Sequence, residues 1–183
     1  MVLGYGHIGR KVTKVGKCFG MTVKAVKRTP EEAKEIDYLG TNEDLHNLLP
    51  EADFIVVTLP LTKKTRGYLG EGEFNMMKPG VHIVNVGRGP VIEEDALYEA
   101  LKTGQIGGAG IDTWWNYPSD QEARSNTAPS DHPLREFDNV VFSPHRAALV
   151  QEFEKERIKD LARVLSRLTE GKDVDLVKIE EGY

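Results

Sequence analysis

Two kinds of hydrophobic pattern alternate along this chain. Short, nearly unbroken apolar runs such as Asp53-Phe-Ile-Val-Val-Thr58 and Val81–Val86 predict parallel strands buried on both faces. Between them, apolar residues return every third or fourth position, as in amphipathic helices. Met1-Val2-Leu3 precedes a glycine turn, and Ile8, Val12, Val15 and Phe19 then mark a helix that Phe19-Gly20 ends. Met21 to Val26 reads as the next strand, and Asn42 to Leu49 as a helix capped by Asn42 and closed at Pro50. Gly72 to Met77 predicts a short helix, Lys78-Pro79-Gly80 a turn, and Glu93 to Lys102 an acid-headed helix stopped at Gly104. Gly108 to Ile111 and Val140 to Phe142 predict further strands. Leu149 to Leu168 reads as a long helix with Leu149, Phe153, Ile158, Leu161, Leu165 and Leu168 apolar. Strand and helix alternate without repeats, which predicts an α/β fold around a parallel sheet.

The first turn carries candidate chemistry. Gly4-Tyr5-Gly6-His7-Ile8-Gly9 has the spacing of a dinucleotide-phosphate loop. In such a loop Gly4 makes the tight turn, Gly6 lets backbone approach a pyrophosphate, and Gly9 allows helix and strand to pack closely. The helix amino terminus then favours negative charge. A glycine turn can also be purely structural, but strand, glycine turn, helix and strand in that order are a nucleotide-binding βαβ unit. The expected architecture is therefore a Rossmann-type doubly wound parallel sheet with helices on both faces. Only three residues precede the loop, so either a very short first strand suffices or something upstream is missing.

After the second strand, where an acid normally takes the ribose hydroxyls of NAD, stand Lys27-Arg28-Thr29-Pro30. No carboxylate repels a 2′-phosphate there, and Arg28 suits both adenine stacking and bidentate phosphate pairing. The expectation is NAD(P) binding with NADP(H) favoured over NAD(H). A solvated basic turn is the plainer alternative.

At 183 residues with a formal charge of −5, the chain fits one compact domain, and its scattered cations make nucleic acid an unexpected partner. A single cysteine, Cys18, excludes an internal disulfide, fits a reducing cytosol and reads as core packing. No apolar run reaches the roughly 20 residues of a membrane span, so a cytoplasmic protein is expected. No metal site is predicted.

Further along, Thr58-Leu-Pro60-Leu-Thr62 with Thr65-Arg66-Gly67, then Met77-Lys-Pro79-Gly80, Asn85-Val-Gly-Arg88-Gly89, Gly108-Ala-Gly-Ile-Asp112 and Ser143-Pro-His145 follow in order. This series closely resembles the D-isomer-specific 2-hydroxyacid dehydrogenases, from Val2 to the terminal Glu181-Gly182-Tyr183. The resemblance implies an NAD(P)-dependent oxidoreductase acting on small 2-oxo and 2-hydroxy acids, such as glyoxylate or hydroxypyruvate. It also implies that Arg88 grips the substrate carboxylate and His145 exchanges the proton, roles that suit a permanent bidentate cation and an imidazole. His7 and Ile8 would offer amides to the pyrophosphate, beside Gly4, Gly6 and Gly9. Thr58, Leu59, Pro60 and Thr65 would line the adenosine and phosphate side, with Lys27, Arg28 and Thr29 at the ribose. Val86, Gly87 and Asp112 would lie at the nicotinamide, although Asp112 could instead cap a loop. Relatives pair through their cofactor domains, which implies a homodimer using the helix after the glycine loop.

Two departures stand out. Most members carry a Glu five residues after the Asp, paired with the catalytic His, whereas this chain has Tyr117 in Asp112-Thr-Trp-Trp-Asn-Tyr117-Pro118. A phenol brings no negative charge at neutral pH, so the expected optimum for reduction lies below that of Glu-bearing relatives. Formate dehydrogenases place a neutral Gln there, and Asp131-His132-Pro133 is similar to theirs, which keeps formate-type hydride transfer open. Asp120 or another acid of the 119–130 insert is a competing partner for His145, and Trp114 and Trp115 fit packing or pocket walls. The second departure is the family's separate substrate-binding domain, which this sequence does not contain. Residues 1–148 are therefore expected to form the NAD(P)-binding domain, and residues 149–183 a helix and tail that in the family return to the substrate domain. The alternatives are a split oxidoreductase, a fragment of one, or a catalytically idle dinucleotide-binding module.

Overall fold

A computed structural model describes residues 1–29, 32–149 and 152–174; Pro30, residues 150 and 151, and Glu181-Gly182-Tyr183 lie outside the described residues. In chain order the elements are β1 (Val2–Leu3), α1 (His7–Cys18), β2 (Lys24–Val26), β3 (Tyr38–Gly40), α2 (Leu45–Leu48), β4 (Phe54–Val57) and α3 (Glu71–Met76). They continue as β5 (Val81–Asn85), α4 (Glu94–Lys102), β6 (Ile106–Ile111), β7 (Val140–Phe142) and α5 (Phe153–Thr169). The seven strands form one sheet in the order β3-β2-β1-β4-β5-β6-β7, and every pairing is parallel. The Rossmann-type expectation holds, and the chain reverses direction across the sheet at β1 and β4.

The two-residue β1 is paired on both sides. Val2 stands opposite Ala25 and Val56, and Leu3 opposite Val26 and Val57. The Thr58 N–H extends the ladder by donating to the Leu3 carbonyl at 2.9 Å. The main core lies on one side of the sheet, where Leu3, Ile55, Ile83, Leu97, Ile106 and Ile111 are almost fully buried.

Several details depart from the hydrophobic pattern. In α1 the apolar stripe is not the buried face: Gly9 and Thr13 are buried, whereas Ile8, Val15 and Phe19 are 53%, 56% and 79% exposed. Steric necessity chooses the face. A Cβ on Gly9 would lie 2.0 Å from the Gly4 carbonyl oxygen, and one on Gly16 would lie 3.0 Å from Val23. The small residues Gly9, Thr13 and Gly16 therefore turn toward the sheet at helical spacing with Val12 partly buried beside them, and Ile8, Val15 and Phe19 face outward. Cys18 goes with them and is exposed rather than packed in the core.

β4 is likewise buried on one face only, since Ile55 and Val57 are covered while Phe54 is 50% exposed. The same open face continues through His82 and Val84 of β5 and Val141 of β7. The cap of the 42–51 segment is Thr41, not Asn42. Its hydroxyl accepts from Glu43 N–H while Asp44 accepts from Thr41 N–H at 2.7 Å, a reciprocal box that starts a 3-10 turn before α2. β3 escaped the sequence pattern because three residues carry no period; its pairing with β2 makes it a strand.

Candidate active site

A wholly parallel sheet puts every strand's carboxyl end on one edge, and the candidate residues stand along it. The glycine loop follows β1, Lys27-Arg28-Thr29 follow β2, Thr58 follows β4, Val86-Gly87-Arg88 follow β5, Asp112 follows β6 and His145 lies beyond β7. This is where open α/β sheets bind ligands.

The glycine loop is shaped from below. Gly4 has φ +96°, a conformation open to glycine at little cost, and the Thr58 hydroxyl donates to the Gly4 carbonyl at 2.7 Å. A Cβ added to Gly6 would meet nothing within 4 Å, so the protein leaves clear the side from which a pyrophosphate would approach. His7 opens α1 with no side-chain cap and no acidic residue in the first turn, so no carboxylate of that turn competes for its N–H groups. These features fit a dinucleotide. Leu59 and Pro60 continue the rim, and the Thr65 hydroxyl donates to the Pro60 carbonyl at 2.6 Å to hold that loop.

Asn85, fully buried, opens the Asn85–Gly89 motif, in which sequence reading assigns it no role of its own. Its side chain accepts from Gly87 N–H and donates to the Arg88 carbonyl, both at 3.0 Å, which pins the backbone of the 86–88 turn. Gly87 abuts Leu59, where a Cβ would come within 2.5 Å of the carbonyl oxygen, so the turns after β4 and β5 touch. The exposed Arg88 side chain donates to the Gly87 carbonyl at 2.7 Å.

On the other side, the Asp112 carboxylate accepts from Arg146 N–H at 2.8 Å and from Ala147 N–H at 3.1 Å. Asp112 is thus a loop cap, and the loop it caps is the one bearing His145. Burial works against ionisation of Asp112, but the hydrogen bonds from Ser143, Arg146 and Ala147 outweigh it and hold the carboxyl below its ordinary range. His145 is the one non-glycine residue with positive φ, +55°, among the described residues. Its Nδ1 lies 3.1 Å from the Tyr117 hydroxyl oxygen. That oxygen also accepts the Trp114 backbone N–H at 3.0 Å. The insert acid is not the partner: Asp120 accepts from Ala123 N–H at 2.8 Å and from the Ser119 hydroxyl at 3.0 Å. Trp114 and Trp115 anchor the loop by donating their indole N–H groups to Ser143 and Ile92 carbonyls at 3.0 and 2.8 Å.

Residues 1–147 match the family described as D-isomer specific 2-hydroxyacid dehydrogenase, NAD binding domain. The chain belongs to this family. A D-3-phosphoglycerate dehydrogenase of Methanocaldococcus jannaschii is 36% identical over 171 residues, which cover 93% of this chain and 31% of the relative. A glyoxylate reductase of Aeropyrum pernix is 34% identical over 171 residues, covering 93% of this chain and 48% of the relative. This chain therefore spans less than half of either relative. Among solved structures, a D-isomer specific 2-hydroxyacid dehydrogenase of Xanthobacter autotrophicus Py2 in complex with NADPH and MES superposes with a TM-score of 0.85 at 29% identity, covering 100% of this chain and 71% of that one. The matched span belongs to the family's NAD binding domain and includes the whole rim from the glycine loop to His145.

Proposed function

We propose that this chain is the cofactor half of an oxidoreductase that reduces small 2-oxo acids, of the glyoxylate or hydroxypyruvate kind, to D-2-hydroxy acids, with NADP(H) preferred over NAD(H). The observation that carries the reading is the hydrogen-bonded Tyr117–His145 pair on the same sheet edge as Arg88 and an uncapped glycine-loop helix. His7, Ile8 and the glycines would hold the pyrophosphate, with Thr58, Leu59, Pro60 and Thr65 beside it and Val86, Gly87 and Asp112 toward the nicotinamide. A bound nicotinamide supplies the hydride. Arg88 would grip the substrate carboxylate and polarise the adjoining carbonyl, and His145 would hand a proton to the oxygen that becomes an alkoxide. Relatives named glyoxylate reductase support the substrate class.

Preference for NADP(H) rests on Lys27-Arg28-Thr29 at the end of β2, where an acid would repel a 2′-phosphate. A homodimer is supported by α1, which turns Ile8, Val15 and Phe19 to solvent. A reducing, cytosolic setting suits the free, exposed Cys18, and no helix among the described residues is long and apolar enough to cross a membrane. A second reading, a dinucleotide-binding module without turnover of its own, is favoured by α5, which buries none of its residues.

Calorimetric titration with NADPH and NADH tests the cofactor reading first. Micromolar NADPH binding with weaker NADH supports it, and no binding of either removes it. Turnover of glyoxylate by the bound form then separates the enzyme from the module.

A further inference from the structure

One hydrogen bond beside His145 has a fixed direction. A backbone N–H can only donate, so the contact of Trp114 N–H with the Tyr117 hydroxyl oxygen uses that oxygen as an acceptor. The hydroxyl oxygen lies 3.1 Å from His145 Nδ1, so its hydrogen has a ring nitrogen within reach. The loop is held in this arrangement from several sides. Trp114 and Tyr117 stack with ring centroids 5.7 Å apart, the Trp114 indole is tied to the Ser143 carbonyl, and Asp112 fixes the turn after His145.

We propose that Trp114 N–H, the Tyr117 hydroxyl and His145 form a directional chain that keeps neutral His145 protonated on Nε2, with Tyr117 replacing the proton that the imidazole gives up in reduction. This rests on the reading of His145 as the proton donor. A glutamate in place of Tyr117 would only accept, drawing the proton to Nδ1 and leaving Nε2 bare unless the ring is charged. The phenol reverses this: Nε2 presents a hydrogen to the substrate oxygen without the imidazole becoming a cation. As that oxygen becomes an alkoxide, Nε2 gives up its proton to it and Nδ1 takes the proton of Tyr117. The imidazole ends neutral, and the phenolate is stabilised by Trp114 N–H. A phenol is a much stronger acid than an aliphatic alcohol, so the transfer runs downhill. Solvent then protonates the bare Nε2 while Nδ1 returns its proton to the phenolate, which restores the starting tautomer; both side chains are exposed. Trp114 thus acts as a positioning residue through its backbone, and Tyr117 as a proton source one imidazole away from the substrate.

The test is the tautomer of His145 in the histidine-labelled chain, read from two-bond 1H–15N correlations above the titration range and assigned by the signal lost in His145→Asn. The wild type is expected to hold Nε2–H over Nδ1–H by about tenfold, roughly one hydrogen bond's worth. Tyr117→Glu is expected to reverse the tautomer, and Tyr117→Phe to move Nδ1 toward the signal of an unbonded nitrogen. Nδ1–H in the wild type, or an Nδ1 signal that Tyr117→Phe leaves unchanged, overturns the proposal. NADPH titration of the same samples is the separate check. Absent binding with the Nε2–H tautomer intact counts against the function proposed above and leaves the chain of hydrogen bonds standing.

Discussion

The Asp112 carboxylate and the Arg146 amide meet at 2.8 Å, which ties the carboxyl end of β6 to the turn that carries His145. His145 sits in the left-handed region, tolerated by few non-glycine residues, and the cap on the residues after it holds it there. Positioning of the imidazole therefore depends on a carboxylate that must be ionised to accept all its bonds.

From this follows a pH dependence. The Asp112 carboxyl lies below its ordinary range in the folded chain, so its contribution is complete above about pH 4 to 5 and is lost as pH falls through the lowered value. Asp112→Asn should cost about 1–3 kcal/mol near neutrality and should flatten the acid limb of the unfolding curve. Denaturant midpoints from pH 3 to 7 check this; an unaltered acid limb in the variant contradicts it.

Cofactor choice gives the second expectation. If Lys27 and Arg28 hold a 2′-phosphate, Lys27→Ala with Arg28→Ala removes charge-assisted contacts made only by NADPH. NADPH affinity should fall about 10- to 100-fold with NADH affinity nearly unchanged. Calorimetry with both cofactors decides, and equal losses for the two would move the selectivity elsewhere.

Phe19 supplies the third. It is 79% exposed at the carboxyl end of α1, so Phe19→Glu should leave monomer stability within about 0.5 kcal/mol while dissociating a dimer built on this helix. Sedimentation across micromolar concentrations reads the change. A wild type that is monomeric throughout removes the dimer.

Much of this arrangement was legible in the chain because the signals were local. The βαβ order, the glycine spacing and the residues at strand ends need only a few neighbours to be read. What escaped depended on partners distant in sequence. The hydrophobic period of α1 does not tell which face is buried, because Gly9 and Gly16 are forced against Gly4 and Val23 and no such period reports a clash. β4 reads as doubly buried from composition, yet whether its second face is covered depends on the rest of the fold. Asn85 looks like an ordinary strand end until its side chain is seen clamping Gly87 and Arg88. Tyr117 could be located by its offset from Asp112, whereas the Trp114 amide that directs its hydroxyl carries no side-chain signature at all.

The glycines of the first loop separate fold from function most cleanly. A Cβ on Gly9 would lie 2.0 Å from the Gly4 carbonyl oxygen, a backbone atom that cannot step aside without moving the loop. Gly9→Ala should therefore destabilise the chain by about 1–3 kcal/mol, the usual cost of overpacking. Gly6 has φ −90°, which alanine adopts freely, and a Cβ there meets no protein atom within 4 Å. Gly6→Ala should keep the wild-type melting temperature to within about 2 °C, since surface changes of this kind cost under about 0.5 kcal/mol. It should nevertheless weaken NADPH binding by about tenfold or more, because the methyl group occupies the path by which a pyrophosphate reaches the backbone. Thermal unfolding and calorimetry on the two variants give a paired readout. Loss of stability without loss of affinity in Gly6→Ala would mean that the loop is shaped for the fold alone, and that the dinucleotide lies elsewhere on the edge.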